Sequence, residues 1–172
     1  MTEVNAFADT PWRAGVIQDF ARSELFDRTF EEGMQLVEET AAYLDGDGRA
    51  EAKALDRSVS LTYATESMRL TTRLMQLASW LLLHRAVKEG EMTLSQANRE
   101  KTKVKLSAAD PSPTDMLVKL PQPLQDLIAR SMALQAKVRR LDISIHAPVS
   151  EQAHIGNPLV PQMNRLKAAF ER

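Results

Sequence analysis

The chain has 172 residues, of which 22 are basic, 23 acidic and none cysteine. That length suits one domain with a sizeable core; the missing cysteine excludes disulfides and thiolate chemistry and fits a reducing cytoplasm. Near-zero net charge and only nine aromatic residues argue against a protein built to neutralise a nucleic-acid backbone, stack on bases or coat an anionic membrane.

Charge is nevertheless uneven along the chain. Met1 to Asp45 holds ten acidic residues against three arginines, whereas Arg85 to Lys105 holds six basic residues against three acidic ones. The start, MTEVNAFADTPW, lacks a basic region followed by an apolar core and does not read as a secretion signal. Residues 1–22 form a first segment, in which Thr10-Pro11 could open a short helix. A bundle domain is expected over 23–145 and a flexible tail over 146–172.

The first helix is expected from Ser23 to Asp45. Phe26, Phe30, Met34, Val37, Ala41 and Leu44 recur at helical spacing, with Glu31, Glu32, Glu38 and Glu39 opposite. Asp45-Gly46-Asp47-Gly48 stops it; the spacing of oxygen ligands does not suit a calcium loop. The second and longest helix should run from Arg49 to Glu89, about 60 Å if continuous, because neither glycine nor proline interrupts it. Its seam is Leu70, Leu74, Leu77 and Leu81, in alternating steps of four and three, and Met68, Met75, Ala78 and Leu82 widen it. Thr93 with Gln96 forms a capping-box pattern that introduces a short polar helix reaching about Lys105. Residues 106–123 read as a loop. The third helix comes next, with Leu124, Leu127, Ser131, Leu134, Val138 and Leu141 on one face. The remainder is broken by proline and glycine, and only its last residues, with Met163, Leu166 and Phe170 on one side, could form a turn or two. The expected class is all-α: a three-helix bundle with a long central helix.

Within that central helix, Leu74 to Leu83 is ten uncharged residues, eight of them apolar. A bilayer span needs about 20, so no membrane span is expected. A helix apolar nearly all round is buried nearly all round, and two further helices leave one side over. Trp80, Leu83 and Val87 are assigned to that side. A second copy is the first expectation for covering it, making the chain a homodimer; the segment around Trp12, Val16, Ile17 and Phe20 is the other.

Chemistry is sparse. Glu151 and His154 match half of one di-iron motif, which needs two copies and further carboxylates. There is no Gly-rich phosphate loop and no GxSxG nucleophile. No catalytic residue, cofactor or metal ligand is assigned, and no enzymatic activity is expected. Glu31 and Glu38 on the acidic helix face, and the basic stripe Arg99, Lys101, Lys103 and Lys105, are candidate partner-binding residues. Without aromatic interleaving the stripe suits protein docking better than nucleic acid; a small DNA-associated regulator and a purely structural scaffold are the competing readings. Met163, Leu166 and Phe170 are candidates for a docking peptide.

The block YATESMRLTTRLMQLASWLLLHRAVKEGEMTLSQA, with FEEGMQLVEETAAYLDGDGR before it and LIARSMALQAKVRRLD after it, resembles the RcdA family of small bacterial proteins. The resemblance runs from about Leu25 to Asp142. It implies a homodimeric three-helix bundle that acts as an adaptor for the ATP-dependent protease ClpXP in the regulated degradation of the cell-cycle transcription factor CtrA. It also implies recruitment by a CpdR-type priming protein, and binding of substrates or of a cyclic-di-GMP-binding adaptor. Concentration at a cell pole is a further implication of the same resemblance.

Overall fold

The computed structural model describes residues 11–101 and 112–146, with side chains over 23–101 and 112–145. Six helices occur among the described residues: α1 (Pro11–Asp45), α2 (Asp47–Lys53), α3 (Arg57–Lys88), α4 (Leu94–Lys101), α5 (Thr114–Leu117) and α6 (Gln122–His146). The fold is all-α, with three long helices and a 32-residue central one. The chain divides at Arg139 into two units; only the last turns of α6 are described in the second, and the helix packing belongs to the first.

Two pairings set the direction of the helices. Asp27 meets Lys88 and Gly33, further along α1, lies against Leu81, so α1 and α3 run antiparallel. Glu39 pairs with Arg130 and Glu32 with Lys137, so α1 and α6 are antiparallel too. Hence α3 and α6 are parallel, and the chain must return along the bundle between them. That return carries α4 and α5, both packed on α3. Such exposed ion pairs fix little energy, about 0–1 kcal/mol each, but they mark the register of the three helices.

The core is built from Leu70, Leu74, Leu77 and Leu81 of α3 and Leu124, Leu127, Leu134 and Val138 of α6, all buried as their spacing implies. On α1 the buried line differs from the apolar one. It runs through Phe26, Thr29, Gly33, Leu36 and Thr40, whereas Met34, Val37 and Leu44 are half-buried and Ala41 is exposed. Small residues let α1 approach closely. A Cβ on Gly33 would lie 2.5 Å from Leu81 Cδ1 and 3.6 Å from Leu134 Cδ2. The Thr29 hydroxyl is satisfied by donating to the Leu25 carbonyl at 2.7 Å, so its burial leaves no orphan donor.

Four boundaries differ from the sequence expectation. α1 is one helix from Pro11, with no separate piece before Ser23. The expected helix over 49–89 is broken at residues 54–56, where backbone bonds tighten to Ala54 N–H on Glu51 and Leu55 N–H on Ala52, and Asp56 turns extended at ψ 153°. No proline or glycine causes this break; α2 instead turns back to pack on α1 as well as on α3. Residues 114–117 make a helical turn within the expected loop, and α6 begins at Gln122, so Pro123 sits in its first turn, where the missing N–H costs nothing.

Two other signals read as expected. Thr93 and Gln96 form the reciprocal capping box: Thr93 N–H donates to Gln96 Oε1 at 2.9 Å and Gln96 N–H to Thr93 Oγ1 at 3.2 Å. Gly90, at φ 78°, comes after α3 with Glu91 N–H on the Ala86 carbonyl at 2.9 Å, the bonding of a Schellman end.

The α1–α2–α3 corner closes on Gly48. A Cβ there would lie 2.6 Å from the Tyr63 hydroxyl and 2.7 Å from the Tyr43 carbonyl oxygen. Tyr43 donates to Glu51 at 2.7 Å; burial first, then this bond, holds its phenol well above the ordinary range. Gly48→Ala gains at most about 0.5–1 kcal/mol of helix propensity but meets a backbone oxygen that cannot rotate away, an overpacking cost of about 1–3 kcal/mol. A net loss of about 1–2 kcal/mol is expected in urea unfolding, and a gain in stability would show that the corner opens freely.

Candidate partner-binding surfaces

The Trp80 side of α3 is covered by its own chain. Trp80 is 1% exposed; its ring lies 6.2 Å from Phe26 and stacks on His84 at 3.9 Å. Leu83 and Val87 are half-buried. The expectation that Trp80 needs a second chain or residues 12–20 to cover it is therefore corrected, since Phe26 and His84 lie on its ring. Phe26 of α1 reaches Trp80 because Thr29 and Gly33 bring the two helices close.

The uncovered side is another one. Leu61, Met68, Met75 and Leu82, expected in part to widen the core, are exposed by 54% to 72%. They recur at strict intervals of seven on the outer face of α3, the spacing of a coiled-coil seam. Between them lie Ala64, Thr65, Thr71, Thr72, Ala78 and Ser79. Thr65, Thr71 and Ser79 donate their hydroxyls to carbonyls four residues back at 2.8–2.9 Å. The donors of these three are thus already used within the helix. The seven-residue interval was present in the sequence, but the Leu70–Leu81 seam on the same helix gave a stronger signal and absorbed it.

Across from this stripe α3 is polar as well as apolar. Glu66, with its side chain 4% exposed, accepts from Arg69 Nη1 at 2.8 Å and from the Ser112 hydroxyl. Arg69 also donates to Ser112 at 3.1 Å, and Arg73 to Ser131 at 2.7 Å. Burial, more than its neighbours, pulls the Arg73 guanidinium below its ordinary value. This network ties the return segment and α6 to the central helix.

At the far end, Phe26, Asp27, Phe30, Glu31, Arg85, Lys88 and Glu89 line an open cleft of ≈ 340 Å³. Arg85 lies 4.7 Å over the Phe30 ring while bonding Glu89 at 2.9 Å. The cleft has an aromatic floor and a rim of mixed charge. Glu31 is exposed on this rim, and Glu38 is exposed two turns further along α1. Near Glu38, Glu39 is held below the ordinary carboxylate range by its hydrogen bond to Arg130. Arg99 is exposed and Lys101 half-buried at the end of α4. Lys103, Lys105, Met163, Leu166 and Phe170 lie outside the described residues.

Among the described residues no three His, Asp or Glu side chains gather as a metal site, and no helix is long and apolar enough to cross a membrane. A family model described as "Protein of unknown function (DUF1465)" matches residues 17–170. The crystal structure of RcdA from Caulobacter crescentus CB15 is 57% identical, over 76% of this chain and 98% of that one, with a TM-score of 0.62. The chain belongs to the RcdA family. No curated protein sequence matches it.

Proposed function

We propose that the chain is a non-enzymatic adaptor that delivers cell-cycle substrates such as CtrA to the ClpXP protease through protein–protein contacts. The observation that carries this reading is its 57% identity with RcdA across 98% of that protein. An adaptor works by raising the local concentration of one protein at another, and needs separate surfaces on one rigid body. The acidic face of α1, with Glu31 at the aromatic cleft and Glu38 beyond it, is proposed for a CpdR-type priming protein. Arg99, Lys101, Lys103 and Lys105 are proposed for an acidic patch on a substrate or on a cyclic-di-GMP-binding adaptor. Met163, Leu166 and Phe170 are proposed as a docking peptide in a tail over 146–172, and cytoplasmic concentration at a cell pole belongs to the same reading.

Reconstituted degradation tests it. Substrate loss should require ClpXP, the priming protein and this chain together, and should fall when residues 156–172 are removed, with the melting temperature nearly unchanged. Degradation indifferent to the chain would overturn the adaptor role. A marked fall in melting temperature on truncation would overturn the docking-peptide assignment alone.

A further inference from the structure

We infer that the cleft between α1 and the end of α3 is a docking site for a basic peptide segment of a partner protein, whose arginine pairs with Glu31 and displaces Arg85 from the Phe30 ring. This gives a chemistry to the partner proposed for Glu31 and rests on that assignment.

The floor of the cleft is preformed. Phe26 is 7% exposed, with its ring 6.3 Å from Phe30 and 6.2 Å from the buried Trp80. Anchored in the core, it needs no ordering when a ligand arrives. Phe30 is only half-buried, and the Arg85 guanidinium stands 4.7 Å over its ring. That contact shows the kind of group the ring accepts, because the electron-rich face of an aromatic ring attracts a cation. The space of ≈ 340 Å³ is at the small end of ligand sites, and suits the side chains of a peptide.

The rim selects the sign of the guest. Four carboxylates, those of Asp27, Glu31, Glu89 and the neighbouring Glu91, stand against two cations, Arg85 and Lys88. Both cations are committed, Lys88 to Asp27 and Arg85 to Glu89 at 2.9 Å. Glu31 is exposed and lines the cleft, yet has no hydrogen bond or ion pair among the described residues. The end of α3, at Lys88, adds the negative pole of a 32-residue helix. Arg85 registers this field. Its guanidinium is held above the ordinary value by the bond to Glu89 first, then by the charge of Glu89, with Asp27 and Glu91 adding to it.

Charge complementarity therefore calls for a cation at Glu31, and the ring calls for a flat one. Arginine meets both demands, since a guanidinium offers a planar stacking face and several donors where an ammonium offers only a point charge. Arg85 and Glu89 are both exposed, so the pair swings off the ring intact when the guest enters. An apolar side chain two residues further along an extended peptide projects to the same side and covers the rest of the aromatic floor.

Binding to the full chain alone, without any protease, tests this. The probe is the peptide acetyl-Gly-Arg-Ser-Leu-Gly-amide, and the control carries glutamate in place of its arginine. In an amide NMR titration the arginine peptide should shift signals of residues 26–31 and 85–89, and the control should shift none. Glu31→Gln should weaken binding about threefold to fivefold. Arg85→Met should tighten it about twofold to fivefold, because the resident cation no longer competes for the Phe30 ring. A merely structural Arg85 would not produce a gain. Both residues are exposed, so helical circular dichroism should stay unchanged in either variant. No shifts with the arginine peptide, equal binding of the control, unchanged affinity in Glu31→Gln, or unchanged or weaker affinity in Arg85→Met would each overturn the inference. Normal reconstituted degradation with Glu31→Gln, beside the expected peptide results, would instead remove the priming protein from this face and leave the peptide site standing.

Discussion

Trp80→Ala is expected to lower the stability of the chain by about 3–5 kcal/mol, a fall in melting temperature on the order of 10 °C for a chain of this size. The residue is 1% exposed and is the largest fully buried side chain among the described residues. Removing it leaves a void bounded by Phe26 and His84, which lose ring contacts at 6.2 Å and 3.9 Å. The two helices cannot close over the void, because Gly33 already sits against Leu81 with no slack. Cavity and lost transfer energy therefore add. Equilibrium urea unfolding checks the magnitude. Sedimentation of the still-folded fraction checks its meaning: the variant should associate as the unaltered chain does, since Trp80 acts inside one chain. A loss of association with full stability would put Trp80 back on an interface.

The second large effect concerns the Glu66 carboxylate. Arg69→Met removes the guanidinium 2.8 Å from a side chain that is 4% exposed. Breaking a buried pair from one side costs about 3–5 kcal/mol. Arg69 is itself 32% exposed, and the Ser112 hydroxyl remains as a donor, so about 2–3 kcal/mol is expected after that discount. Glu66→Leu combined with Arg69→Met should recover at least half of it. The buried charge is then gone, and leucine fills the space without needing a partner. A double-mutant cycle in urea reads the coupling directly. Strictly additive losses would show that Glu66 contributes packing alone and that the ion pair is incidental.

The sites were less legible in the sequence than the fold, and α3 shows why. Its two apolar rows, 70/74/77/81 and 61/68/75/82, are both plain at helical spacing. Periodicity says that a helix has apolar rows but not which row faces inward. Trp80 appeared surplus because two further helices seemed to leave one side of α3 over; of the expected α1 row Phe26 is buried, but below it α1 packs through Thr29, Gly33 and Leu36 rather than Phe30, Met34 and Val37. Small and hydroxyl residues do not register as core in a hydrophobic pattern, although they permit the closest helix approach. The break at 54–56 was hidden for a related reason: no proline or glycine marks it, and the packing of α2 on both neighbours imposes it.

By itself the sequence determined the all-α class, the three long helices, the capping box at Thr93, the Leu70–Leu81 and Leu124–Val138 core rows, and kinship with RcdA. These rest on local spacing, end signals and long matched blocks, which a linear chain carries in full. Only the tertiary structure decided which flank of α3 α1 covers, and so left Met68 and Met75, not Trp80, facing water. The orientation of one helix about its axis depends on how closely its neighbours approach, and that distance is set by side chains, such as Gly33 and Leu81, that meet only in the folded bundle.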